Sequence, residues 1–191
     1  DYKRSRHFTK LAADTRRSYT GLMNIIEKKW GSHAVTSFDK SIMDTWYEAN
    51  CGGRGKWQAL ALNRMMSILF KHAERLVWRA PGSNPCADLG VEVPKGRQRV
   101  LSWAETDQLV AEADRLGRKA MALAMLLSMY QGQRRQDVMT AEKGDVRRVT
   151  AKDPLTGEEA RVWIWGLLRS KRQTEGGMVL HPDIVDRVRR H

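Results

Sequence analysis

The stretch Tyr130-Gln131-Gly132-Gln133-Arg134-Arg135-Gln136-Asp137-Val138 sets two adjacent arginines and a carboxylate at the end of a strongly apolar run, Met121 to Tyr130. A guanidinium is the side chain best built to grip a phosphate with two parallel hydrogen bonds. Arg134 therefore reads as a residue aimed at a phosphodiester, with Asp137 helping to fix the turn. A solvated helix N-terminus would show the same string, so the string needs support from the rest of the chain. Other cations fall into groups. Arg64, Lys71 and Arg75 recur at spacings of seven and four, on one face of a helix. Arg16 and Arg17 lie off the apolar stripe of an earlier helix. Lys95, Arg97 and Arg99 sit in a stretch broken by Pro94 and Gly96, where a basic segment can cross a DNA backbone. Each group can lie against phosphates or simply be solvated.

The balance of charge favours phosphates. The chain of 191 residues has 34 Lys and Arg against 22 Asp and Glu, a net charge of +12. Residues 1–100 carry 18 basic and 9 acidic side chains, a net +9, and residues 101–191 carry 16 and 13, a net +3. Such an excess suggests a polyanionic partner, of which nucleic acid is the commonest. Cys51 and Cys86 are the only cysteines, too few for a disulfide framework or a zinc site. They fit a reducing compartment, and the expected location is cytoplasmic. No apolar run approaches the roughly 20 residues of a membrane span, and no signal peptide is visible.

The elements that must position these residues can be read in order. Tyr19, Leu22, Met23, Ile26 and Trp30 recur at helical spacing from Thr15, with Gly31 as the stop. A second helix is expected from about Lys40 to Asn50, then a flexible loop over Cys51-Gly52-Gly53-Arg54-Gly55. A third should span Lys56 to Trp78, with Leu62, Met65, Met66, Leu69, Ala73 and Leu76 inward. Trp30, Trp46 and Trp57 sit at helical spacing and read as core. Residues 81–100 are expected as a basic interdomain linker between a helical domain, 1–80, and a second domain, 101–191.

Ser102-Trp103-Ala104-Glu105 matches a capping box. The helix it opens should bury Leu109, Val110, Ala113 and Leu116. The next, Arg118 to about Gln131, is apolar on nearly every face and should be central. After Gly144 the period changes. Strands are expected at 145–150, 161–168 and 178–180, with a turn at Asp153-Pro154-Leu155-Thr156-Gly157 and a helix after Pro182. The expected fold is mainly α with a small antiparallel sheet, an α+β arrangement.

In this order the pattern resembles the tyrosine recombinases, the phage-integrase family. Thr15-Arg16-Arg17-Ser18-Tyr19, the helix ending Lys71-His72-Ala73-Glu74-Arg75-Leu76 and the exit Asn84-Pro85 resemble the family's helical, SAM-like core-binding domain. Gly132 to Val138 is similar to the motif around its first catalytic arginine, and Val179-Leu180-His181-Pro182 to the segment after its β-hairpin. The resemblance implies that Arg134 binds the scissile phosphate, that Asp137 supports it, and that Lys171 is the hairpin lysine acting as general acid. The usual Lys-Thr-Gly is replaced by Lys171-Arg172-Gln173-Thr174, which makes Arg172 a rival. Arg135 and Arg172 join the expected DNA contacts.

The family's His-x-x-Arg box and tyrosine nucleophile have no counterpart after Pro182. Tyr2, Tyr19, Tyr47 and Tyr130 lie too early in the sequence, and His72 to Arg75 falls inside a core-binding helix. The chain is accordingly read as part of a longer protein, its second domain the N-terminal part of a catalytic domain. It is expected to bind double-stranded DNA without cleaving it. The intact protein would cut and rejoin DNA through a 3′-phosphotyrosyl intermediate, as a tetramer on DNA, without metal or other cofactor. Two alternatives stand beside this: a non-catalytic architectural or regulatory DNA-binding protein of the same fold, and a helical protein–protein adaptor whose charge is incidental.

Overall fold

A computed structural model describes residues 1–152, 155–169 and 174–189. The chain divides into two compact units, residues 1–97 and 98–191. The first holds four α-helices among the described residues: α1 (Arg6–Thr9), α2 (Ala13–Trp30), α3 (Lys40–Arg54) and α4 (Lys56–Arg75). Their apolar stripes meet in one cluster that includes Met23 and Ile26 of α2, Met43 and Trp46 of α3, and Leu62, Met65, Met66 and Phe70 of α4.

Helix α3 opens on Asp39, whose carboxylate accepts from the Ile42 amide at 2.8 Å. It does not stop at Asn50. It continues through Cys51, Gly52 and Gly53, the stretch expected to be a loop. The break comes at Gly55, where φ is +86° and ψ 153°, a backbone region essentially confined to glycine. Helix α4 ends at Arg75, short of the expected Trp78. There the Trp78 amide bonds back to the Ala73 carbonyl at 2.9 Å and the Val77 amide to Glu74 at 3.1 Å. Val77 sits between them at φ +59°, and this left-handed turn throws Leu76 outward, 42% exposed rather than in the core stripe.

The next residues are tied to the first unit. Arg79 donates to the Phe38 carbonyl at 2.9 Å and to the Ser83 carbonyl at 3.0 Å. The Asn84 amide donates to the Ser67 hydroxyl at 2.9 Å, and its oxygen accepts from the Cys86 amide at 3.0 Å. Asn84 and Cys86 are both buried. Of the stretch expected as a linker, the part up to Cys86 is thus anchored. Residues 91–102 have no regular structure.

The second unit contains α5 (Trp103–Arg115), α6 (Lys119–Gln131), α7 (Arg135–Met139), strands β1 (Val146–Lys152), β2 (Glu159–Arg169) and β3 (Thr174–Val179), and α8 (Pro182–Arg189). The sheet is antiparallel in the order β1-β2-β3. Val146 pairs with Trp165 and Ile164 with Val179. The alternation along β2 turns Trp163 and Trp165 toward the core, where Trp165 meets Val110, Leu126, Val138 and Ile184. Strand β3 begins at Thr174, earlier than the apolar residues suggested, because glycines and a threonine complete the ladder.

Burial here is narrower than the sequence pattern implied. Val110 and Ala113 are buried, but Leu109 and Leu116 are not. Helix α6 buries Ala122, Leu126 and Leu127 and leaves Met121 half exposed, so it is central without being enclosed. No helix among the described residues is long and apolar enough to cross a membrane.

Candidate nucleic-acid interface

Helix α6 ends on Gly132, at φ +58° and ψ 25°, its amide bonded to the Ser128 carbonyl at 3.1 Å. This left-handed residue stops the helix and redirects the chain. Arg134 follows in extended conformation as the N-cap of α7, its carbonyl accepting from the Val138 amide at 3.1 Å. Its side chain is exposed and enters no ion pair among the described residues. Three residues on, Asp137 is 4% exposed, and Val138 packs beside Trp165 in the core. One turn therefore presents a guanidinium outward and turns a carboxylate inward.

The position of that turn is set by contacts at the end of α6. The Gln131 side chain donates to the Val179 carbonyl of β3 at 3.1 Å. The Tyr130 hydroxyl donates to the Asp183 carboxylate of α8 at 3.2 Å. The Tyr130 ring stacks on His181, with centroids 4.1 Å apart and planes at 18°, and the Trp103 ring lies 5.3 Å away on α5. Desolvation, and then the hydrogen bond to Asp183, push the Tyr130 hydroxyl above its ordinary pKa. Helix α8 is fixed in turn by Arg187, which grips Asp114 of α5 through two bonds of 2.9 and 2.7 Å. Sequence reasoning missed this network, since its members lie about fifty and seventy residues apart.

In the first unit, Arg16 and Arg17 of α2 are exposed, and Arg17 pairs with Asp14 at 3.2 Å. Arg64, Lys71 and Arg75 are exposed along α4. Lys95, Arg97 and Arg99 are exposed as well, but Arg99 is engaged by Glu105. That pairing is part of the α5 cap. The Ser102 amide, the Arg99 guanidinium and the Ser102 hydroxyl hold the Glu105 carboxyl below its usual range. Arg135 is exposed beside Arg134. Lys171 and Arg172, and the turn residues Asp153 and Pro154, lie outside the described residues. Trp57, read from the sequence as core, is instead 56% exposed. The signal was in the spacing: Trp57 precedes Arg64 by seven residues and so falls on the cationic face of α4.

Of the four tyrosines, Tyr2 and Tyr47 are buried and Tyr19 packs against the first core. Tyr130 is held by Asp183 and His181. Among the described residues no group of three or more His, Cys, Asp or Glu could hold a metal ion.

No protein-family model and no curated protein matches the sequence. Solved structures do. A lambda integrase fragment, residues 75–356, in a dimer bound to a COC′ core site, superposes with a TM-score of 0.74 at 15% identity, over 96% of this chain and 62% of that one. A lambda integrase tetramer bound to a Holliday junction gives 0.70 at 15% identity, over 92% of this chain and 46% of that one. The chain thus spans less than two thirds of the length of the integrase chains it matches. At these identities the likeness is one of fold: a mostly helical chain with a small three-stranded antiparallel sheet, arranged as in the tyrosine recombinase lambda integrase.

Proposed function

We propose that the chain is the DNA-binding part of a site-specific tyrosine recombinase, with residues 1–80 as core-binding domain, 81–100 as basic linker and 101–191 as part of a catalytic domain. Arg134 grips the scissile phosphate, Asp137 supports the turn, and Lys171 or Arg172 serves as the hairpin cation. The exposed cations of α2 and α4 follow the phosphates of a duplex. The observation that carries the reading is Arg134, exposed and in no ion pair among the described residues, set on a turn whose neighbours are locked into the core. The integrase fold and the net charge of +12 support it. On this reading the intact protein breaks and rejoins DNA through a 3′-phosphotyrosyl intermediate.

The chain of 191 residues binds duplex DNA and forms no covalent adduct with it, because each of its four tyrosines is buried, packed on a core or engaged by neighbours. That same observation favours a second reading, a DNA-binding protein of this fold without catalysis. A nicked suicide substrate tests both. The 191-residue chain should give binding without adduct. If a longer product of the same gene gives an adduct that disappears with Arg134→Ala, the recombinase stands; if it binds without any adduct, the second reading stands. Binding that is absent, or indifferent to salt between 50 and 200 mM, sinks both.

A further inference from the structure

Gly52 and Gly53 occupy the last turn of α3 in helical conformation, where glycine weakens a helix relative to alanine. Neither has a positive φ, and a Cβ added to either would meet nothing within 4 Å. The chain itself needs no glycine at these positions. Directly after them come Arg54, Gly55, Lys56 and Trp57, and the whole run from Gly52 to Trp57 is exposed. Arg54 and Lys56 enter no ion pair among the described residues. Trp57 is 56% exposed, while Trp46 of the preceding helix is 9% exposed. Trp57, Arg64 and Lys71 follow one another at intervals of seven, within about 20° of one line along α4.

We propose that Gly52 to Trp57 forms a close-contact site for duplex DNA at the end of the cationic stripe of α4. The bare backbone of Gly52 and Gly53 lets a sugar–phosphate strand approach, Arg54 and Lys56 pair with its phosphates, and the Trp57 ring packs on sugar or base. The Trp57 ring, 56% exposed, lies outside the hydrophobic cluster of this unit. A nucleic acid offers it both phosphates for its neighbours and a flat apolar face for itself. The inference rests on the DNA-binding reading and adds a non-ionic contact to it.

The experiment measures binding of the full chain to a labelled 30-base-pair duplex from 50 to 200 mM salt, with a thermal melt of every variant. Trp57→Ala should weaken binding roughly tenfold while leaving the slope of log affinity against log salt unchanged, because the lost contact releases no counterions. Arg54→Ala with Lys56→Ala should reduce that slope by about two. Gly52→Gln with Gly53→Gln should melt no lower than the parent, since glutamine is the better helix former, and yet bind at least about fivefold more weakly. Parental affinity for the Trp57→Ala and glutamine variants, beside a steep parental salt slope, overturns the site and leaves the DNA-binding reading in place. A lower melting temperature for the glutamine pair also overturns it, by showing that the fold requires those glycines. A parent that does not bind DNA removes both.

Discussion

The two cysteines show how far a single residue's chemistry is decided by its surroundings. Cys86 is buried behind Asn84, and burial pushes its thiol up to about 12, against an opposing effect of Arg79. Cys51 is half-buried on α3. An aromatic disulfide reagent at pH 8 should therefore titrate one thiol rapidly in the native protein and the second only on unfolding, and Cys51→Ser should abolish the fast phase. Two fast thiols would show that the Asn84–Ser67 anchor is not formed. The shift also links to stability. The folded thiol titrates above the unfolded value of about 8.5, so its contribution is complete below pH 8.5 and is lost as pH rises toward 12. Cys86→Ala should flatten that alkaline decline in the denaturation midpoint. None of this was legible in the sequence. Asn84-Pro85-Cys86 reads as a turn, and its burial depends on Ser67, 17 residues earlier. Arg134 was legible as an exposed cation because the glycine, the arginine and the apolar run before them are contiguous.

At the scale of elements, what is local was readable and what is tertiary was not. The α5 cap is local. The Glu105 amide donates to the Ser102 hydroxyl at 3.2 Å, and the Ser102 amide to the Glu105 carboxylate at 2.9 Å, the reciprocal pair expected from Ser-x-x-Glu. Ser102→Ala should cost about 1 kcal/mol of stability in denaturant melts. Glu105 titrates below its usual range when folded. Its contribution is therefore present above the ordinary carboxylate pKa and is lost as pH falls through the depressed value. Glu105→Gln should remove part of the acid sensitivity, and an unchanged acid midpoint would mean the cap is unformed in solution. Gly132 is a second local case. A Cβ there meets nothing within 4 Å, so Gly132→Ala should cost about 1 kcal/mol from the left-handed backbone alone. The length of α3 is the opposite case. Two glycines suggested a loop, but the helix carries on until Gly55, where φ turns positive. The burial of α5 was also misjudged, because periodicity marks an apolar face without saying how much of it a neighbour covers.

At the scale of the molecule, the two units have separate cores, one built on Met43, Leu62 and Met65 and the other on Ala122, Trp165 and Ile184. Charge is divided unequally between them. Residues 1–97 carry 17 basic and 9 acidic side chains, a net +8, and residues 98–191 carry 17 and 13, a net +4. A unit with its own core should fold alone. Residues 1–97 should thus give a cooperative melt in isolation, and on the DNA-binding reading they should keep much of the salt-sensitive affinity. If Arg16, Arg64, Lys71, Arg75 and one or two neighbours each meet a phosphate, the slope of log affinity against log salt is about −4.5 to −5.5. That is a loss of roughly five hundred- to two thousandfold between 50 and 200 mM. The full chain adds Arg134 and Arg135, and its slope should be steeper by about two. Arg99 should add little, since Glu105 already holds it. Equal slopes for the fragment and the full chain would mean that the Arg134 turn does not touch the duplex. A fragment that folds but binds without salt dependence would move the whole interface to the second unit.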